Sequence, residues 1–220
     1  MERFIRPMAP GWFASVMGTA VTSLALTLAS HAAADACPAL AASEGVLREL
    51  AFALNMTGFG AGVFMYVGLL ALTMARHFLG APVEGKMTPT LWVHLAPLSV
   101  IPLSMLALLK TTGDASLLRY GSLVAAAFLG AALWWLVLAV SMTIRNRRQG
   151  KLPFALSWWA FVFPIGACSV LAYRVSELLA LEVLPLVASG LTLLALFVWS
   201  AAALGTVRGI RTGAIFAPAL

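Results

Sequence analysis

The chain has 220 residues, of which 62% are hydrophobic and 10% are charged, and its formal net charge is +6. Its mean hydropathy of +0.97 excludes a water-soluble domain, because every soluble fold must present a wettable surface. The sequence also lacks the short segments of alternating polarity that are typical of a transmembrane β-barrel. We therefore predict an all-α, polytopic membrane protein in which residues 1–220 form a single integral membrane domain.

Six apolar stretches are long enough to cross the hydrocarbon core of a bilayer, which takes about 20 residues of helix. In chain order, the predicted spans are Gly11–Ser30, Leu50–Ala75, Thr90–Leu109, Leu117–Ile144, Phe154–Tyr173 and Leu178–Val207. The fourth span is long enough to tilt or to protrude from the membrane. The sequence predicts a tight turn at Arg174–Glu177 between the last two spans, and the six spans pair as three helical hairpins.

The distribution of charge predicts the orientation of these spans. With a cytoplasmic N-terminus, ten of the fourteen basic residues fall on the inner side and six of the eight acidic residues fall on the outer side, as the positive-inside rule requires. The ten inner residues are Arg3, Arg6, Arg76, Lys86, Arg145, Arg147, Arg148, Lys151, Arg208 and Arg211. The basic charge is thus a topology signal and not a nucleic-acid-binding surface. We predict a multi-pass protein of the cell inner (plasma) membrane with both termini in the cytoplasm.

The N-terminal region has an alternative interpretation as a cleaved signal peptide. Arg3 and Arg6 precede an apolar run that ends in the small residues of "ASHAAADAC". The apolar run is longer than the 7–15 residues usual for a signal-peptide core. Cleavage would leave five spans, with the two termini on opposite sides of the membrane.

The apolar spans offer no constellation of residues for chemistry. Ionisable groups inside a bilayer usually mark function, but the acidic residues of this chain lie at or near span ends. His94 is about one turn inside the third span, whereas His31 and His77 lie near the interface, so no two histidines sit at the matching depth that a haem would require. Cys37 and Cys168 lie too far apart to suggest a disulfide framework or a metal site. We predict that the protein is not an enzyme and binds no metal or other cofactor.

Proline and glycine residues interrupt three of the spans. A proline removes a backbone hydrogen bond, and a membrane tolerates the freed carbonyl only against another helix, a hydroxyl group or a wet cavity. Either the interruptions line a pathway, or they are packing kinks, since prolines are common in membrane helices. We assign the following residues to a pore lining: Pro97, Pro102, Pro164, Gly166, Ser99, Ser169 and, in the first span, Gly18.

The fifth span, "LSWWAFVFPIGACSV", is rich in aromatic residues. Trp158 and Trp159 are predicted to lie about one turn into the helix, where indole rings anchor at the headgroup boundary. Phe161 and Phe163 are about 200° apart on a helical wheel. We therefore expect one of these two rings to pack against neighbouring helices while the other points elsewhere.

Three segments resemble one membrane-protein family. The segments "PGWFASVMGTAV", "TPTLWVHLAPLSV" and "LSWWAFVFPIGACSV" are similar to the tellurite-resistance/dicarboxylate transporter family. This family includes plant guard-cell slow anion channels, a bacterial tellurite-resistance protein, fungal malate permeases and sulfite exporters. The resemblance implies five hairpins whose inner helices surround a central pore, often in a trimer. It also implies that Phe163 is the aromatic gate of that pore, although Val162 stands where the family often has threonine.

The chain differs from this family pattern in length, because it has six predicted spans where ten are expected. Three hairpins would leave an open groove unless other subunits complete it, so we expect a homo-oligomer, which would be a trimer if it follows the family. The leading hypothesis is transport of a small anion, such as a C4-dicarboxylate, sulfite, a tellurite-type oxyanion or a small inorganic anion, by a channel or secondary carrier. The alternative is a shortened membrane scaffold, or a fragment, that does not transport.

Overall fold

The computed structural model of the protein describes residues 38–79 and 85–213. Within these residues all regular structure is helical, which confirms the predicted fold class. The described helices are α1 (Pro38–Leu79), α2 (Leu95–Thr111), α3 (Ala115–Arg148), α4 (Val162–Leu179) and α5 (Leu184–Thr212). Two 3-10 segments, Gly85–His94 and Leu156–Phe161, lead directly into α2 and α4.

The described residues contain five stretches that are long and apolar enough to cross a membrane. They are Phe52–Ala75, Leu91–Thr111, Ala115–Arg148, Leu156–Leu179 and Leu184–Thr212. These stretches correspond to the second through sixth predicted spans, whereas the first predicted span, Gly11–Ser30, and Gly18 within it lie outside the described residues. The 34 residues of α3 make a helix of about 50 Å, so it extends beyond a hydrocarbon core of about 30 Å.

The chain divides into two compact units after Met74. The described part of the first unit belongs to α1, on which Gly58 and Tyr66 are buried while most of the large apolar side chains are exposed. Gly58, the partly covered Gly62 and Tyr66 are spaced four residues apart, so they share one face of the helix. Small residues at this spacing are typical of a helix face against which a neighbouring backbone packs closely.

The second unit contains the remaining described helices, which form two hairpins, α2–α3 and α4–α5. Helix α4 packs against α2, α3 and α5, and α2 packs against α3. The centre of this unit holds fully buried apolar side chains from α2 and α4, among them Leu95, Ile165, Leu171 and Val175. Helix α4 is therefore the central element, with neighbours on most of its circumference.

The first hairpin turns at Asp114, which caps the start of α3. One of its carboxylate oxygens accepts hydrogen bonds from the backbone amides of Ser116 (2.8 Å) and Leu117 (3.2 Å). This side chain satisfies two of the amide groups that lack a partner at the beginning of a helix. Gly113 precedes it at a φ of 71°, in the left-handed region that glycine enters without steric cost.

The second hairpin turns later than the sequence predicts, so the predicted turn at Arg174–Glu177 is wrong. Both residues lie inside α4, which continues to Leu179. An ion pair between residues three apart favours the helix, and Arg174 pairs with Glu177 in this way. The chain reverses after Ala180, which adopts the left-handed conformation at φ 51° and ψ 43°. Pro185 then stands in the first turn of α5, where a proline costs no hydrogen bond.

The prolines of the third and fifth predicted spans also lie nearer to helix starts than the sequence analysis placed them. Pro97 is the third residue of α2 and Pro164 is the third residue of α4, because the preceding turns are 3-10 and not α-helical. Backbone amides in the first turn of a helix have no acceptor within that helix. Pro102, in contrast, stands within α2 and is fully buried.

Candidate functional site

Phe161 and Phe163, at the start of α4, have different environments, as their predicted separation around the helix implies. Phe161 is 5% exposed, whereas Phe163 is 47% exposed. The ring of Phe161 lies 5.2 Å from that of Trp92 and 5.9 Å from that of Trp158, both in edge-to-face arrangements. Such aromatic pairs add stability beyond the area they bury. Phe161 is therefore the packed ring of the two, and Phe163 is the ring that the second unit leaves accessible.

Phe163 belongs to an open stripe along α4. Val170 and Arg174 follow it at intervals that return to nearly the same side of a helix with 3.6 residues per turn, and both are exposed. Ala167 and Gly166 lie between them and are partly covered. A Cβ atom added at Gly166 would have no atom within 4 Å, so there is free space beside the stripe one turn from Phe163.

The other faces of α4 are covered by α2 and α5. On the α2 side, the buried Cys168 thiol lies next to Ser99. On the α5 side, the Ser169 hydroxyl donates to the backbone oxygen of Ala188 at 2.9 Å and lies 2.7 Å from the hydroxyl oxygen of Thr192. A hydroxyl that bonds a carbonyl of the neighbouring helix fixes the two helices relative to each other. The open stripe is the part of the α4 surface that these neighbouring helices leave uncovered.

The residues assigned to a pore lining therefore fall into different environments. Ser99, Pro102, Pro164 and Ser169 are buried between helices of the second unit. The Ser99 hydroxyl donates to the carbonyl of Leu95, one turn earlier in α2, at 2.9 Å. Pro97 and Gly166, in contrast, are only partly covered. The structure thus brings Gly166 and Phe163 together on one open surface and places the two serines at helix contacts.

The entries to α2 and α4 repeat the same arrangement. Each 3-10 segment ends three residues before a proline, and a tryptophan stands five residues before that proline: Trp92 before Pro97, and Trp159 before Pro164. The two segments pack against each other, with the contact between Trp92 and Phe161 joining them. The starts of the hairpins α2–α3 and α4–α5 therefore share one local pattern and lie against each other.

A polar network that the sequence analysis did not identify fixes the first of these entries. Three hydrogen bonds tie the Gly85–His94 segment to α3: Trp92 Nε1 to Thr143 Oγ1 (2.9 Å), Trp135 Nε1 to the Leu91 oxygen (2.8 Å) and Asn146 Nδ2 to Thr88 Oγ1 (2.6 Å). The His94 ring also contacts the Trp135 ring at 5.1 Å. Polar groups that are buried pair with one another because an unpaired group is costly. His94, in the apolar run of the third predicted span, was the available sequence signal.

The accessible surface of α4 carries no charge over its first three turns. Between Leu152 and Tyr173 the sequence contains no Asp, Glu, Lys or Arg. The described residues, 38–79 and 85–213, contain no group of three or more His, Cys, Asp or Glu side chains that could hold a metal ion. An apolar, uncharged surface without carboxylates does not repel an anion, and it offers little to attract a cation.

Comparisons with known proteins give the family to which the chain is similar. The voltage-dependent anion channel family matches residues 27–207. Among curated proteins, the chain is similar to the uncharacterized transporters MJ0576 and MJ0762 of Methanocaldococcus jannaschii, each 30% identical over 207 residues. The similarity covers 94% of this chain but 57% and 58% of those two proteins. The chain thus spans less than two thirds of the length of the relatives it matches. No solved structure gives a significant match.

Proposed function

Because the chain belongs to the voltage-dependent anion channel family, we propose that it contributes to a transmembrane pathway for small anions with Phe163 as the constriction. The observation that carries this proposal is the contrast between the two phenylalanines of α4. Phe161 is locked among aromatic rings, whereas Phe163, two residues later, stands on the open stripe. A side chain on such a surface has room to change rotamer, which an occluding residue requires.

The proposed mechanism combines a backbone segment that is held in place with the ring of Phe163, which can change rotamer. The 3-10 segment before α4 is held in place because Phe161 packs against Trp92 and Trp158. Gly166, one turn later in α4, has no side chain that would lean toward the ring of Phe163, and the space beside it is free. In one rotamer the ring narrows the passage, and in another it lies along the helix surface and leaves the passage open. The gate is then a change of one side chain and needs no movement of the helix.

Selection for anions would follow from the uncharged stripe and from the helix ends. With no acidic side chain between Leu152 and Tyr173, the passage carries no fixed negative charge along this helix. Helix N-termini present partial positive charge, and α2 and α4 begin next to each other. The proposed substrates are therefore small inorganic anions, sulfite, tellurite-type oxyanions or C4-dicarboxylates, since selectivity depends on pore width and on the placement of polar groups.

The same proposal extends to the assembly and its membrane. The relatives are longer than this chain, and the two described hairpins of the second unit leave one side of α4 open. We propose that further copies of the chain complete the pathway in a homo-oligomer, with three copies as the first stoichiometry to test. The basic ends of α3 and α5 support an orientation in the plasma membrane with both termini in the cytoplasm.

Anion flux through the purified chain tests this function. The full 220-residue protein is reconstituted into liposomes after its oligomeric state has been measured, and efflux of chloride, nitrate, sulfite and malate is compared with efflux of sodium. We expect flux of at least one anion to exceed that of protein-free vesicles while sodium flux remains at background. Flux that is equal for sodium and chloride would contradict an anion pathway.

The alternative of a membrane scaffold that does not transport is favoured by one observation, the length of the chain relative to its relatives. A protein that spans 57% of the length of a relative can keep the helix packing of the family without a closed pore. On this hypothesis, the folded and reconstituted chain gives background flux for every anion tested. Saturable flux of any anion would exclude it.

A further inference from the structure

The open stripe of α4 ends in a charged residue on the side of Phe163. Arg174 lies three helical turns beyond Phe163, about 16 Å further along the axis, and only about 20° away around the helix. Val170, which lies between them on the same face, is exposed. An anion that moves along this stripe toward Phe163 from the far end of α4 would therefore pass Arg174 first.

The environment of Arg174 leaves its charge accessible. Its side chain is 59% exposed and that of Glu177 is 62% exposed, and Arg174 Nη1 donates to Glu177 Oε2 at 2.9 Å. This contact uses one of the five N–H donors of the guanidinium group. Exposed ion pairs of this kind contribute little to stability. The pair thus positions the arginine head group without burying it or using up its donors.

Charged residues of both signs lie at the end of the second unit where Arg174 stands. Besides Arg174 and Glu177, the described charged residues at this end of the second unit are Lys110, Asp114, Arg119 and Glu182. The three basic and three acidic residues cancel. Arg174 is the basic residue among them that stands on the open stripe, so neutralising it removes positive charge from the stripe itself, whereas neutralising Arg119 removes charge from the start of α3.

We infer that Arg174 is the residue that recruits and selects anions at this mouth of the pathway, and that Glu177 moderates its charge. This inference rests on the proposed function and adds a residue and a mechanism to it. The guanidinium group concentrates anions at the mouth by its charge, and its planar donors suit the oxygen atoms of carboxylates and oxyanions. The neighbouring carboxylate weakens this attraction, so that anions are not held at the mouth.

The expected effect is a dependence on charge that salt suppresses. For an anion passing about 7 Å from the guanidinium group in a water-filled mouth, the loss of one positive charge lowers the local anion concentration about threefold. The Debye length is about 30 Å at 0.01 M salt and about 3 Å at 1 M salt. The effect is therefore large in dilute salt and nearly absent in concentrated salt.

The experiment compares four variants in planar bilayers or proteoliposomes with chloride as the probe. We expect Arg174→Gln to lower chloride conductance about threefold in dilute salt and Arg174→Lys to keep most of it. Glu177→Gln should raise conductance by a similar factor. Arg119→Gln, a change of the same kind at the start of α3, is the matched control and should leave chloride conductance unchanged. The ratio of chloride to sodium permeability, taken from reversal potentials, provides a readout that does not depend on the amount of active protein.

The possible results separate this inference from the function on which it rests. A wild-type protein that conducts chloride no better than protein-free membranes overturns both. A conducting wild type whose Arg174→Gln variant matches it in dilute salt overturns the role of Arg174 alone, and so does an Arg119→Gln variant that loses as much conductance. If Arg174→Gln does not fold, Glu177→Gln decides the question, and unchanged conductance and permeability ratio in that variant overturn the inference.

Discussion

Replacing Phe163 with alanine is the most direct perturbation of the proposed constriction. If the ring must leave a preferred rotamer to admit an anion, the barrier it adds is about 0.5–1.5 kcal/mol, so its removal should raise anion flux by about two- to tenfold. The cost in stability should be moderate. A fully buried phenylalanine loses about 3–5 kcal/mol on truncation to alanine, and Phe163 is 47% exposed, so we expect roughly half of that loss.

The assay measures chloride efflux from liposomes that contain equal amounts of folded wild type or variant, with thermal unfolding in detergent measured alongside. Phe197→Ala is the matched control, because it removes the same kind of exposed ring (69% exposed) from α5 and not from the stripe of α4. This control should lose less stability than Phe163→Ala, because its ring is more exposed, and should show no gain in flux. The reasoning is refuted if folded Phe163→Ala conducts like wild type, or if Phe197→Ala gains as much flux.

Two further predictions concern the packing that supports the stripe. A Cβ atom added to Gly205 would overlap the ring of Phe154, so Gly205→Ala should lower the free energy of unfolding by about 1–3 kcal/mol. An added Cβ atom at Gly166 meets no atom within 4 Å, so Gly166→Ala should raise the free energy of unfolding by up to about 1 kcal/mol. Denaturation in detergent measures both variants, and equal effects of the two substitutions would contradict the difference in packing. Trp135→Phe keeps an aromatic ring but removes the indole N–H that donates to the Leu91 oxygen, which should cost about 0.5–1.5 kcal/mol and lower the unfolding temperature; an unchanged temperature would contradict that role.

The sequence was a good guide to the spans because their signal is the length of an apolar run. The second predicted span, Leu50–Ala75, lies inside α1, and the structure extends the helix back to Pro38 through residues that are helix formers but less apolar. The 3-10 entries were not predictable in this way, since an apolar run looks the same in either helix type. The proline at the third position of α2 or α4 has no N–H to donate to the carbonyl four residues earlier, which disfavours an α-helix that runs unbroken through it from the preceding residues.

The candidate site was predicted in part. The angular separation of Phe161 and Phe163 follows from helix geometry alone, and their different exposure confirms that prediction. The partners of Ser169 depend on which residues of α5 come to face it, and these contacts arise only when the hairpin closes. The position of Arg174 was not predicted, because two charged residues, Arg174 and Glu177, that stand between two apolar runs are typical of a turn. The structure instead places it on a helix, in line with Phe163.

The edge-to-face contact of Trp92 with Phe161 has a mechanical consequence for the two hairpins of the second unit. It joins the start of the first hairpin to the start of the second at a ring that stands two residues before Phe163. Because the backbone between the two phenylalanines begins a regular helix, a tilt imposed on Phe161 rotates Phe163 with it. A displacement of Trp92 in the first hairpin therefore changes the position of Phe163 in the second through one ring contact, and it does not have to pass along the length of either helix.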